Sequence, residues 1–301
     1  MIKPRSIIFN HRIAKRMVFI PTLFDVSLRD GIQGANPEHY KTEKKKKIFE
    51  HIQTKYHPSK IEIGSFVSPK ALPIMNDTPD LFKFSQTVEK HEFSPDIYAL
   101  VPNKKGLMDA IQMGVRNFSF ITSISNEFQI KNTRRNLDEK KAELREMMDV
   151  LHSTNQTKLY ISCVNECPIR GLIDRDFLIH EILSSYGLIE FDGGTRTFDE
   201  ICLSDTMGTL KARDLEYILD GLLRFGLAKN RISLHLHVAS DNASEAKRAL
   251  FACFQRGITR FDVSTISEGG CSVSMDRSRL KPNLTYEFFY AALEEYEQSL
   301  T

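Results

Sequence analysis

The feature that most narrows the fold is a repeated exchange of periodicity along the chain. Short β-branched apolar runs alternate with longer stretches whose apolar residues recur at helical spacing. Strands are expected at 18–24, 60–66, 96–101, 117–122, 158–164, 198–204, 231–237 and 260–266. Helices are expected between and after them, at 38–54, 78–88, 104–113, 137–151, 174–186, 210–225, 243–256 and 285–299. In the charged 137–151 segment, Leu137, Leu144, Met147, Met148 and Leu151 share a helical face, so the methionines read as core. Strict alternation demands a parallel sheet, and eight units close a barrel rather than an open sheet. No glycine-rich dinucleotide fingerprint follows the first strand, which disfavours the open alternative. The expected architecture is an α/β fold, a (β/α)8 TIM barrel. It forms one domain over 17–301, preceded by a short basic N-terminal arm at 1–16.

Composition excludes several classes of function. The 301 residues fit a single barrel, and 41% hydrophobic with 27% charged content is that of a soluble globular chain. A net charge of +2 is too small to argue for nucleic acid, and no apolar run approaches the ~18 residues of a membrane span. Five cysteines are an odd number spread over a large chain, which suits reduced thiols and a cytoplasmic setting. Lys3, Arg5, Arg12, Lys15 and Arg16, with no acid before Asp25, carry the charge bias of a presequence, so the mitochondrial matrix is the alternative. The run Lys44 to Lys47 reads as a solvated helix face.

A barrel keeps its chemistry where strands end and βα loops begin, and the reactive residues cluster there. Arg29 and Asp30 follow the first strand, and Glu62 lies on the second. Cys163 and Cys167 follow the fifth, Asp205 the sixth, and His235 and His237 end the seventh. Cys271 comes after Gly269 and Gly270 beyond the eighth. Strand side chains alternate, so His235 and His237 point to one face and offer half of a metal site. Asp30 adds a carboxylate, and Asn283 is the best-placed amide to complete a mixed nitrogen and oxygen set suited to Mg²⁺ or Mn²⁺. Arg29 supplies a permanent positive charge for a developing oxyanion. Cys163 and Cys167 have no second pair to make a soft-metal site and read as loop packing or as support behind the ligands.

Arg29-Asp30-Gly31, His235-x-His237 and Gly269-Gly270-Cys271, taken together, resemble 3-hydroxy-3-methylglutaryl-CoA lyase, within the metal-dependent lyase and synthase superfamily of barrels. Ser65 to Lys70, Val101 to Gly106, Ser162-Cys163 with Cys167-Pro168, Asp205-Thr206-x-Gly208 and Asn283-Leu284 extend the likeness from about 16 to 299. The resemblance implies cleavage of 3-hydroxy-3-methylglutaryl-CoA, an acyl-CoA, to acetyl-CoA and acetoacetate, and a homodimer. It implies Asp30, His235, His237 and Asn283 as ligands of a divalent metal, Arg29 as enolate stabiliser and Cys271 as catalytic thiol. Glu62 and Asp205 match the family's acidic positions near the metal. The base that takes the hydroxyl proton remains open between His235, Asp30 and hydroxide.

This chain departs from the family's pattern at two loops. Val238-Ala239-Ser240-Asp241 replaces an immediate aspartate and glycine, and 272–282 is longer and more basic than a small glycine-rich loop. Arg277, Arg279 and Lys281 in the second loop read either as solvated or as contacts to CoA phosphates. A synthase of the same superfamily, and a non-catalytic barrel binding an acyl-CoA or a protein, are the alternative functions.

Overall fold

A computed structural model describes residues 19–89, 94–187, 189–191, 194–266 and 281–301. The expected arm at 1–16, as well as Cys271, Arg277 and Arg279, lie outside the described residues. Eight parallel strands form a closed barrel. They are β1 (Thr22–Asp25), β2 (Lys60–Ser65), β3 (Asp96–Leu100), β4 (Asn117–Ser123), β5 (Thr157–Ser162), β6 (Glu200–Ser204), β7 (Ile232–His235) and β8 (Arg260–Val263). Closure is made by β1 on β8, with Thr22 opposite Arg260 and Asp25 opposite Val263.

The helices are α1 (Asp30–Gln33), α2 (Thr42–Lys55), α3 (Thr78–Thr87), α4 (Lys104–Gln112), α5 (Asn126–Thr133), α6 (Leu137–Asp149), α7 (Arg175–Glu181), α8 (Ala212–Arg224), α9 (Ala243–Gln255) and α10 (Tyr286–Ser299). Each main helix buries one stripe against the barrel. In α8 the stripe is Leu215, Ile218, Leu219 and Leu222, at the i, i+3, i+4, i+7 spacing that makes one face. A capping box starts α6, where Asn136 accepts from Glu139 N and Glu139 reaches back to Asn136 N. The outward faces of the strands, such as Leu159, Ile161, Ile201, Leu203, Leu234 and Phe261, join these stripes in one apolar shell.

The lumen is filled differently. Side chains from non-adjacent strands meet across it, Glu62 with Tyr160 and Lys158 with Asp262. Lys158 also pairs with Glu200 at 2.9 Å. Glu200 in turn holds Arg260 at 3.0 Å and Lys60 at 3.3 Å. These charges form a floor beneath the mouth, and the Lys158 ammonium lies 3.9 Å from the centre of the Phe24 ring.

Several local expectations change. Between the first expected strand and the first expected helix, the chain winds into α1, which brings Asp30 up to the mouth. The 174–186 helix runs on past α7 as one wider π turn at Ile182–Tyr186. Lys45 is not on a solvated face: it is buried, donating to the Ile74 carbonyl and pairing with Asp77 at 2.5 Å. Two small hairpins, Glu166–Cys167 with Gly171–Leu172 and Ile189–Phe191 with Gly194–Arg196, have no counterpart among the expected elements.

Candidate active site

At the C-terminal mouth, the first βα turn sets two charged residues side by side. The Arg29 and Gly31 N–H groups both bond to the Val26 carbonyl, at 3.1 and 2.9 Å, which folds the chain sharply into α1. A side chain at Gly31 would stand 2.6 Å from Ser264 Oγ and 3.0 Å from the Ile266 carbonyl, so only glycine lets α1 lie this close to the end of β8. Arg29 then donates through Nε to Glu62 Oε2 at 2.5 Å and through Nη1 to Asp30 Oδ1 at 2.6 Å. Its guanidinium lies 4.9 Å from the Tyr160 ring centre, and Tyr160 reaches the same Glu62 oxygen at 3.3 Å. One cation is thereby locked between two carboxylates and an aromatic face, all buried.

His235 ends β7 and His237 follows two residues on, so both rings enter the same space. Their Nε2 atoms are 3.3 Å apart, and Asp30 Oδ2 lies 3.6 Å from the first and 3.9 Å from the second. His237 Nδ1 is 2.9 Å from the Lys281 carbonyl. As a carbonyl only accepts, Nδ1 carries the proton and leaves the Nε2 lone pair facing the triangle. The segment after the basic loop threads between β7 and β8, with Leu284 N bonding Leu236 O and Ser264 N bonding Leu284 O. That threading pairs Asn283 with His237 across a β-bridge.

Electrostatics separates these groups. Burial alone would raise the Asp30 carboxyl, yet Arg29, His235 and His237 outweigh it and hold Asp30 down to about 2. Burial, reinforced by His235, depresses His237 to about 4, which keeps its imidazole neutral at neutral pH. Burial pushes the Tyr160 hydroxyl well above its usual range. Asn283 faces the Asp30 carboxylate and helps hold it down. Even so, among the described residues Asp30 Oδ2, Glu62 Oε1 and both amide atoms of Asn283 are buried without a hydrogen bond of normal geometry. Buried polar atoms without partners are costly, and those of Asp30 and Asn283 converge here.

The triangle fits a cation. Ligand arms of about 2.1 Å at right angles end about 3.0 Å apart, and the observed edges of 3.3 to 3.9 Å need only a small contraction. Among the described residues, Asp30, His235 and His237 form a cluster with metal-ligand geometry. Two imidazole nitrogens with a carboxylate and an amide suit a hard or borderline divalent ion.

Other expected residues are placed as follows. Glu62 touches Arg29 rather than the triangle. Asp205 turns away from the cleft, accepting from Thr209 N at 3.1 Å and Leu210 N at 3.0 Å, and its carboxyl is pushed up to about 6 by burial. Cys163 and Cys167 pack with Phe128, as loop packing requires. Lys281 pairs with Asp241 at 2.9 Å, and Asn242 ties the altered loop down by donating to the His237 and Gly208 carbonyls. Tyr160 was not singled out in the sequence, although its i+2 spacing from Lys158 puts it on the same lumen face. A cleft of about 130 Å³ opens above the triangle, with Val67, Leu72, Leu100 and Ile121 lining the side formed by β2 to β4.

Comparison with known proteins agrees with the barrel fold. A family model described as HMGL-like matches residues 21–272. Hydroxymethylglutaryl-CoA lyase YngG of Bacillus subtilis is 31% identical over 253 residues, covering 83% of this chain and 78% of that protein. The solved structure of a Bacillus subtilis HMG-CoA lyase is similar with a TM-score of 0.75 at 26% identity, over 93% of this chain and 87% of that one. An HMG-CoA lyase from Acinetobacter baumannii, in complex with coenzyme A and 3-methylmalate, shares the fold with a TM-score of 0.78 at 24% identity, over 94% of this chain and 86% of that one. A model match across most of the barrel, together with a relative above 30% identity, establishes the chain as an enzyme of the HMGL-like family.

Proposed function

We propose that this chain is a carbon–carbon lyase that cleaves 3-hydroxy-3-methylglutaryl-CoA to acetyl-CoA and acetoacetate. The observation that carries the reading is the convergence of Asp30 and Asn283 atoms that lack a partner among the described residues with the Nε2 atoms of His235 and His237, beside the Arg29 guanidinium. Asp30, His235, His237 and Asn283 would hold the cation. Bound there, Mg²⁺ or Mn²⁺ supplies Lewis acidity and a template for the substrate oxygens.

The chain's own groups handle charge and protons. Cleavage leaves an electron pair on the thioester α-carbon, and it delocalises onto the thioester oxygen as an enolate. Arg29 stabilises that oxygen, and Glu62 and Tyr160 keep the guanidinium oriented so that little reorganisation is needed during the reaction. The tertiary hydroxyl gives up its proton to a base at the mouth, which is His235, Asp30 or hydroxide. Cys271 returns a proton to carbon. Asp205 acts by shaping the turn into α8 rather than by touching substrate.

The test is acetoacetate formation from 3-hydroxy-3-methylglutaryl-CoA by purified protein, before and after chelation. Product that disappears on chelation and returns with Mn²⁺ or Mg²⁺ is expected. Bound metal without product would overturn the substrate and leave the metal assignment standing.

A further inference from the structure

His235 also reaches down into the lumen, on the side away from Asp30 and His237. His235 Nδ1 lies 3.1 Å from Asp262 Oδ2. The other Asp262 oxygen, Oδ1, is held by the Lys158 ammonium. Lys158 also pairs with Glu200, which is itself held by Arg260 and Lys60. All of Lys158, Asp262 and Glu200 are buried, and they come from three different strands. The imidazole plane is braced as well, edge-on to Tyr160 with ring centres 6.0 Å apart and to His237 at 4.9 Å.

We infer that Asp262 is a positioning residue that fixes the tautomer of His235, and that Lys158 fixes Asp262. The argument follows from donor and acceptor inventories. A carboxylate only accepts, so the His235 proton sits on Nδ1 and the Nε2 lone pair is presented toward Asp30 and His237. Lys158 only donates, so it claims Oδ1 and leaves Oδ2 for the ring. Partners of this kind orient metal-bound histidines and are worth about 10- to 100-fold in metal affinity. The inference rests on reading the triangle as a cation site.

Asp262→Asn is the informative change because Lys158 dictates how the amide turns. The carbonyl oxygen must face the ammonium, which puts the amide NH2 at the position of Oδ2. That NH2 donates to Nδ1 and drives the His235 proton onto Nε2, where it points at Asp30 Oδ2, 3.6 Å away, and blocks the lone pair. In Asp262→Asn/Lys158→Met the ammonium is gone, so the amide can rotate its oxygen back to His235.

The experiment measures Mn²⁺ affinity of the metal-free protein by electron paramagnetic resonance, and the His235 tautomer by ¹⁵N-detected imidazole resonances. Expected are an Nδ1–H tautomer in the wild type, an Nε2–H tautomer with about 10- to 100-fold weaker Mn²⁺ binding in Asp262→Asn, and recovery of most of the affinity in the double variant. Binding by folded Asp262→Asn within about twofold of wild type, or equal loss in single and double variants, would overturn the positioning role. If Asp262→Asn does not fold, the wild-type tautomer and the double variant decide: Nε2–H in the metal-free wild type refutes the inference. A wild type that binds no Mn²⁺ while showing Nδ1–H would sink the cation site and leave the tautomer control intact.

Discussion

The floor of the barrel and its mouth are built from the same materials and finished differently. On the floor, Lys158, Glu200 and Asp262 are buried and every charge has an opposite charge in contact, with Lys60 and Arg260 closing the set. At the mouth, Arg29 answers one oxygen each of Asp30 and Glu62, and among the described residues the second oxygens and the Asn283 amide stay unanswered. One guanidinium against two carboxylates leaves the mouth with an excess negative charge. A buried network that is complete serves as scaffold; one that is incomplete by a cation's worth of lone pairs is a binding site.

Removing a mouth ligand should have the largest effect. His237→Ala takes away one of the four proposed ligands, so Mn²⁺ affinity is expected to fall by more than the 100-fold associated with outer partners, and turnover with it. Stability should change little, since the ring gives up only one bond to the Lys281 carbonyl. Metal titration alongside thermal unfolding checks both halves, and unchanged metal content would remove His237 from the ligand set.

The floor predicts the reverse pattern. Lys158→Met strips the shared partner from Asp262 and weakens the support of Glu200, and breaking a buried pair on one side costs about 3–5 kcal/mol. Urea unfolding should show that loss. Because Asp262→Asn removes the charge left behind, the double variant should be more stable than Lys158→Met alone. A single Lys158→Met variant within 1 kcal/mol of wild type would mean that the floor is not the scaffold it looks like.

Arg29 sits between the two patterns, paired yet poised to act. Arg29→Lys keeps a charge but loses the fork that spans Glu62 and Asp30, so turnover should drop by about 10²–10³ with metal binding largely kept. Steady-state kinetics under saturating Mn²⁺ would read this, and a lysine variant with normal turnover would show that a point charge is sufficient.

How much of this contrast is legible in the sequence depends on what each residue's neighbours reveal. The barrel strands were readable because their apolar runs are bounded and evenly spaced. The 231–237 strand stops at His235 because His237 leaves the ladder to bridge Asn283, a partner 46 positions away in sequence. α5 carries no helical signal in the sequence, because its apolar residues Phe128 and Ile130 are two apart, one buried and one exposed, which gives no stripe. The triangle was legible because His-x-His at a strand end forces both rings together. The floor was not: Lys158 and Asp262 are separated by 104 positions, and nothing local marks either as buried. Lys45, hidden in a run of four lysines, was misread for the same reason.

The smallest effect tests whether the kind of partner, rather than burial, decides the charge of a carboxyl. Asp25 is as buried as Asp30, but its partners are neutral: Ser27 N at 2.8 Å, Ser27 Oγ at 3.1 Å and the Tyr286 hydroxyl at 2.8 Å. Without a cation, burial wins and pushes Asp25 up to about 6, whereas Asp30 beside Arg29 is held at about 2. Since the folded value of Asp25 lies above the unfolded one, the folded state binds its proton more tightly. The resulting stabilisation is full below about pH 3.8 and is lost as pH rises through about 6. Asp25→Asn, which keeps the shape and cannot ionise, should flatten the stability profile between those limits, by roughly 1–3 kcal/mol. Urea unfolding at half-unit pH steps would detect it. A residual slope is expected from Asp205, also raised to about 6 by burial, so the variant should reduce the slope rather than abolish it. An identical slope in wild type and variant would mean that Asp25 finds a cation's equivalent in its hydroxyl partners, and the contrast between floor and mouth would then rest on hydrogen-bond count rather than on charge.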